Sequence, residues 1–429
     1  MNNTKDKTIT SLLEQLFPLC RSLTGAGVRE TLHILGKEIP LVLHEIPSGT
    51  KVFDWTVPKE WNIRDAYIKN DKGERIVDFK KSNLHVMGYS TPIHENMSLE
   101  ELRPHLYTLP EQPDLVPYRT SYYKQEWGFC MTHRSYEALP EGSYEVCIDS
   151  TLADGSLVYG ELYIPGQSAD EILLSTYVCH PSLANDNLSG PILLSQLGKY
   201  LRSRSGLRYS FRLLFLPETI GSLVWLSRNK PTLSAIKHGL VITCVGDPGP
   251  FTYKKTRDGN QAIDRAAIKV LAASGKPYSV VEFSPSGSDE RQYSAPALNL
   301  PVGSLMRTPY GRYPQYHTSG DNLSLVTGAQ IAETFALYQI VIETLEKERA
   351  HTYVNTHGFG EPQLDKRGLY ASTGGVMHDE PAKQALMWVL NLSDGTYSLE
   401  DIAARAGIPF DTIAEAARLL HEQNLIRSL

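Results

Sequence analysis

EILLSTYVCHPSLANDNLSGPILLSQLGKYLRS, residues 171–203, reads as a buried strand, a polar loop and a helix. Its apolar opening is nearly continuous, as in sheet strands covered on both faces. The same texture returns in FRLLFL (211–216) and GLVITCV (239–245). Helical patterns, PILLSQLGKYLRS (191–203) and GSLVWLSRN (221–229), lie between these runs, and SYEVCIDS (143–150) and GSLVYGELYI (155–164) precede them as strands. Alternating strands and helices predict an α/β fold, a central sheet flanked by helices.

Each of the three apolar runs ends in polar residues: CHPS (179–182), PET (217–219) and GDPGP (246–250). In open α/β sheets, ligands sit at such strand ends. His180 and Asp186 are close on one loop, and a neutral imidazole with a carboxylate is a ligand pair for Zn²⁺; the two oxygens of Asp186 could bridge two ions. Glu218 and Asp247 each follow a strongly apolar strand. A carboxylate left at the covered end of a sheet is costly without a metal or a partner. His317, in QYHTSGDNLS (315–324) after the strand-like LPVGSLMR (300–307), completes the set. Asp321 either orients that imidazole or caps the following helix.

The rest of the chain gives the setting. Its 429 residues are long enough for two or three domains, and 41% hydrophobic with 21% charged residues marks an ordinary globular protein. A net charge of −6 without a run of basic residues argues against a nucleic-acid partner. Five widely spaced cysteines without a C-x-x-C pair fit a reducing cytoplasm, and no stretch is long and apolar enough to span a membrane. Two helical patterns open the chain, Thr8 to Gly36, and are followed by short β-like runs with a turn at Asp71-Lys72-Gly73. A Pro- and Tyr-rich connector, LYTLPEQPDLVPYRTSYY (106–123), suits a pocket wall, with Tyr122, Tyr123 and Trp127 either lining a site or packing in a core. The last stretch holds three amphipathic helices, with a capping box expected at Ser398 and Asp401 and a helix end at Gly407. The expected division is residues 1–50 as the N-terminal helical part of the main domain, 51–125 as an inserted β-rich domain, 126–370 as the α/β domain and 371–429 as a winged helix.

The order His180, Asp186-Asn187 with Ser189-Gly190, Glu218, Asp247 and His317-Thr318 resembles the co-catalytic zinc aminopeptidase superfamily, which includes the glutaminyl cyclases. That resemblance implies the phosphorylase/hydrolase-like α/β fold. Over nearly the whole chain, and in YRTSYYKQEWGFC (118–130), SGSDERQY (286–293) and GEPQLDKRGLY (360–370), the sequence is similar to bacterial aminopeptidase-like domain proteins associated with polysaccharide biosynthesis. It implies metal ligands His180, Asp186, Glu218, Asp247 and His317, and substrate-facing groups at Asp289 and Arg291, where the guanidinium could hold a substrate carboxylate or form a surface ion pair. The superfamily has two adjacent glutamates, whereas here Pro217 precedes a single Glu218. Glu218 is then either the general base or a ligand, and the site holds one zinc ion or two, with manganese or cobalt also suited to the donor set.

The expected activity is hydrolysis of an N-terminal aminoacyl amide or a related small amide, with a small molecule or peptide as substrate. Two alternatives stand beside it: a catalytically silent metal- or ligand-binding regulator using the winged helix, and an acyltransferase or cyclase with water excluded. The C-terminal segment carries more acidic than basic residues, which favours a homo-oligomer contact through it, or through the inserted domain, over DNA.

Overall fold

The computed structural model describes residues 2–347, 352–369, 380–395 and 397–428. They form two compact units, Met1–Leu345 and Glu346–Leu429.

The first unit is built on an eight-stranded mixed sheet, in the order Val42–Pro47, Ser156–Ile164, Ser210–Leu216, Glu171–Tyr177, Ile236–Val241, Val302–Met306, Phe251–Lys254 and Tyr278–Val281. The four strands at its middle run parallel. Their composition follows from side-chain alternation. Ile172 and Leu174 enter one apolar cluster while Leu173 and Tyr177 enter the other; Phe211, Leu213 and Phe215 face opposite to Leu214 and Leu216. The first cluster is roofed by helices Asn2–Leu16, Ala26–Glu38, Ser189–Arg202, Ala262–Ala273 and Gly328–Lys347, and the second by helix Ile220–Asn229, whose Trp225 is fully buried. Burying such a side chain contributes about 1.5–3 kcal/mol, which is why these strands carry no exposed polar face.

A second, four-stranded antiparallel sheet has the order Arg75–Asp78, Glu60–Lys69, Ser143–Ala153 and Ile93–Ser98. The turn at Asp71-Lys72-Gly73 joins its first two strands, with Gly73 at φ 78°. The inserted β-rich module extends beyond the expected 51–125. The ten-residue strand Glu60–Lys69 needs a long partner, and Ser143–Ala153 supplies it through register pairs from Glu60↔Ala153 to Lys69↔Glu145. In the same way Val42–Pro47, expected in a helical segment, is an edge strand of the main sheet.

In the second unit, helices Glu380–Leu392, Leu399–Ala406 and Phe410–Glu422 pack around Ile402, Ile413 and Leu420, and strands Tyr353–Asn355 and Ile426–Ser428 pair antiparallel. That pairing draws the unit's start back to Glu346; the expected boundary at 371 lies outside the described residues. Ser398 and Asp401 cap each other's backbone, at 3.1 Å and 3.0 Å, and Gly407 ends the helix at φ 65°. Among the described residues, no helix is long and apolar enough to cross a membrane.

Candidate metal centre

The site lies at the carboxyl ends of the central parallel strands. Tyr177 pairs with Leu216 and Ser175 with Val241, so the segments carrying His180, Glu218 and Asp247 leave the sheet side by side. His180 is 5% exposed and Asp186 1%. His180 Nε2 is 3.9 Å from Asp186 Oδ2, and His317 Nε2 is 2.9 Å from the same oxygen. The three donor atoms lie within 4.8 Å of one another. Asp186 Oδ2 and His317 Nε2 are both buried and have only each other's approach, with no hydrogen bond to any other group among the described residues. Two lone-pair donors without hydrogen bonds facing each other, with the His180 imidazole as a third beside them, are what a divalent cation needs.

The chain holds these groups from behind. The Tyr177 hydroxyl donates to Asp186 Oδ1, which leaves Oδ2 for the ion. Asp321 accepts the backbone N–H of Asn185 at 2.6 Å and of Asp186 at 2.9 Å, together with the Tyr313 hydroxyl at 2.9 Å. It neither orients His317 nor caps a helix; it fixes the peptide that carries Asp186. His180 Nδ1 lies 3.4 Å from the Cys179 thiol, and its carbonyl accepts Arg21 Nε–H at 2.9 Å. His317 sits at φ 54°, with its carbonyl bonded to the Tyr118 N–H at 2.8 Å and its ring stacked on Tyr316, centroids 3.9 Å apart. A non-glycine residue in that region is uncommon and is kept there by its surroundings.

Protonation suits a metal. Burial pushes the His180 imidazole down to about 4, and the opposing pull of the negative charge of Asp186 is too small to reverse this. Burial alone would raise Asp186, but His180, His317 and the Tyr177 hydroxyl hold its carboxyl down at about 2. Neutral imidazole and ionised carboxylate are the forms that bind Zn²⁺.

Glu218, with its side chain 25% exposed, stands beside this triad, Oε2 4.0 Å from His180 Nε2 and Oε1 accepting the Ser288 hydroxyl at 3.0 Å. Burial, then the negative charges of Asp289 and Asp186, push its carboxyl well above the usual range. The next residue, Thr219, sits at φ 63° and ψ −72°. For a β-branched residue this is an outlier, and the SGSDERQY segment clamps it: Asp289 Oδ1 accepts its N–H at 2.7 Å and Arg291 donates to its Oγ1 at 2.9 Å. Asp289, expected on the substrate side, is 0% exposed and also accepts the Ser222 hydroxyl; burial pushes its carboxyl up to about 7.

Asp247 is not gathered into the triad. Its carboxylate accepts four donors: the Thr308 N–H at 3.1 Å, the Thr308 hydroxyl at 2.5 Å, the Gly249 N–H at 2.8 Å and the Asn185 amide at 3.3 Å. Of the aromatic residues singled out, Tyr122 reaches the site through its hydroxyl, 2.8 Å from that of Tyr118, whose ring lies 5.3 Å from His180 and 5.1 Å from His317. Tyr123 is half-exposed against Trp55, and Trp127 stacks on His105. Sequence reasoning missed Tyr177, Tyr118, Cys179, Arg21, Ser288 and Thr308. Only Cys179 and Tyr177 lie close to a ligand in sequence; the others arrive through long-range contacts.

A family model for a domain of unknown function (DUF4910) matches residues 10–348, and one for a winged helix-turn-helix matches residues 351–428. A protein of Clostridium acetobutylicum, provisionally named for polysaccharide biosynthesis and carrying an aminopeptidase-like domain, is 53% identical over 419 residues, 98% of this chain and 96% of that one. A crystal structure of a provisionally named peptidase from Clostridium acetobutylicum matches with a TM-score of 0.81 at 51% identity, covering 100% of this chain and 98% of that one. The zinc aminopeptidase BSAP of Bacillus subtilis shares the fold alone, with a TM-score of 0.59 at 11% identity over 81% of this chain and 96% of that one. The chain therefore belongs to the DUF4910 family, with an aminopeptidase-like α/β domain followed by a winged helix-turn-helix.

Proposed function

We propose that the chain is a metal-dependent hydrolase of small amides, using one divalent ion held by His180, Asp186 and His317, with zinc preferred. The observation that carries this reading is the convergence of three donor atoms, two of them buried and otherwise without partners. Three protein ligands with an open position is the pattern of catalytic zinc sites. A bound zinc ion supplies Lewis acidity, which lowers the pKa of a coordinated water and polarises a carbonyl. A single ion fits the disposition of Asp247, whose lone pairs are taken by four donors, and of Thr219, which follows Glu218 where a second glutamate would stand.

Glu218 is assigned the general base. Its Oε1 is held by Ser288 and its Oε2 faces the triad, the placement a base needs to reach the attacking water. Glu218 takes the proton of the attacking water, the water oxygen bonds the amide carbon, the C–N bond breaks, and the same proton goes to the leaving amine. Tyr118 and Tyr316 cover the imidazoles and limit the access of bulk water.

The test is elemental analysis of wild type and His180→Ala, with hydrolysis of a panel of small amides by wild type and Glu218→Gln. About one zinc per chain, lost in His180→Ala, and turnover abolished by Glu218→Gln with zinc retained are expected. Absence of bound metal after zinc addition would sink the reading.

A further inference from the structure

The charges left open around Glu218 bear on what kind of amide fits there. Recognition of a free α-ammonium group needs an available carboxylate. Of the carboxylates at the site, Asp186 faces the two imidazoles and Asp247 has its four donors. Asp321 is filled by two backbone N–H groups and Tyr313. Asp289 is sealed from solvent beneath Thr219, and Glu290, also 0% exposed, is paired with Lys254 at 2.8 Å. Among the described residues of the site only Glu218 remains, and the reading above uses it as the base.

The open charge is positive. Arg291 lies on the short helix Glu290–Tyr293 and its guanidinium is pinned beside Glu218 through one nitrogen, which donates to Thr219 Oγ1 at 2.9 Å. Among the described residues it makes no ion pair with a carboxylate, and its Nε is buried without an acceptor. Asp289 and Glu218 lie within electrostatic reach, but neither forms an ion pair with the guanidinium; Asp289 takes Thr219 and Ser222 on Oδ1 and leaves Oδ2 buried without a hydrogen-bond partner, and Glu218 takes Ser288 on Oε1. Glu218, Thr219 and Arg291 are all partly exposed, so the rim beside the triad is open at the guanidinium. A guanidinium fixed by one hydrogen bond and without a direct ion pair is pre-organised for a planar carboxylate.

We infer that the substrate is an amide bearing a carboxylate, seated on Arg291, rather than a peptide with a free α-ammonium end. This rests on the hydrolase reading above only for the word substrate; the anion seat itself needs no turnover. It assigns the site to acylated amino acids or amides of similar charge, and Arg291 to specificity.

Three probes separate the cases: N-acetyl-L-alanine, its neutral methylamide, and L-alanine amide. In calorimetry with zinc-loaded Glu218→Gln protein, N-acetyl-L-alanine should bind at least ten-fold more tightly than the other two. Adding Arg291→Ala should abolish that preference without weakening the methylamide, and Arg291→Lys should restore part of it. In the wild-type background, Arg291→Ala should raise KM for N-acetyl-L-alanine at least ten-fold with kcat within a few-fold. Preferential binding of L-alanine amide, or equal loss for the charged and neutral probes in both Arg291 variants, would overturn the inference. If the carboxylate binds through Arg291 but no probe is hydrolysed with zinc present, the hydrolase reading fails and the anion seat stands.

Discussion

Asp321→Asn should loosen the metal site without touching a ligand. In the folded chain Asp321 is 0% exposed and its two oxygens serve three donors: Asn185 N–H, Asp186 N–H and the Tyr313 hydroxyl. At pH 8, above its pKa of about 6, it does this as a carboxylate. Asparagine keeps one acceptor. With the amide oxygen on Asn185, the Tyr313 hydroxyl can turn and accept from the new NH₂, which leaves the Asp186 N–H facing a donor. One buried N–H without an acceptor costs about 1–3 kcal/mol. Asp321→Ala orphans all three donors and should cost more, about 3–5 kcal/mol after relaxation. Because the peptide held by Asp321 carries Asp186, part of the cost falls on the metal; loss of an outer partner of a ligand typically weakens binding about 10–100-fold. Zinc affinity would be measured at pH 8 by competition with a chromophoric chelator, alongside urea unfolding of the zinc-free protein. A folded Asp321→Asn protein with a zinc Kd within about twofold of wild type would refute the reasoning.

Two further outcomes follow from the same geometry. Burial raises the Asp289 carboxyl to about 7, so its contribution to stability is complete below the unfolded value of 3.8 and is lost as pH rises through 7. Asp289→Asn keeps an oxygen for Thr219 and Ser222 but cannot ionise, so the zinc-free variant should gain on wild type by up to a few kcal/mol between pH 5 and about pH 8; parallel urea midpoints across that range would contradict this. In the second unit, Ser398→Ala removes the reciprocal cap with Asp401 and should cost about 1 kcal/mol, seen as faster amide exchange over Leu399–Ala406 in the full chain; unchanged exchange there would mean that the cap adds no stability.

The local patterns were legible in the sequence because they depend on near neighbours. The near-continuous apolar runs in residues 171–177 and 211–216 dictated strands buried on both faces, and the Ser398–Asp401 spacing and Gly407 dictated a capped helix. His180 and Asp186 share a loop, and their pairing needed only the strand-to-helix passage around them. What tertiary structure decided was which distant groups fill which lone pairs. Asp247 was indistinguishable in sequence from a free ligand; Thr308, brought alongside it by the strand Val302–Met306, occupies it with two of its four donors. Asp289 was expected among the substrate-facing groups until the fold set it beneath Thr219, while its neighbour Arg291 kept its guanidinium partly exposed. The module boundaries failed for the same reason: strand partners Ser143–Ala153 and Tyr353–Asn355 are chosen by pairing across long stretches of chain. Residue type and period fix what a segment can become. The contacts it makes are set by chain closure over long distances, and no local pattern encodes those.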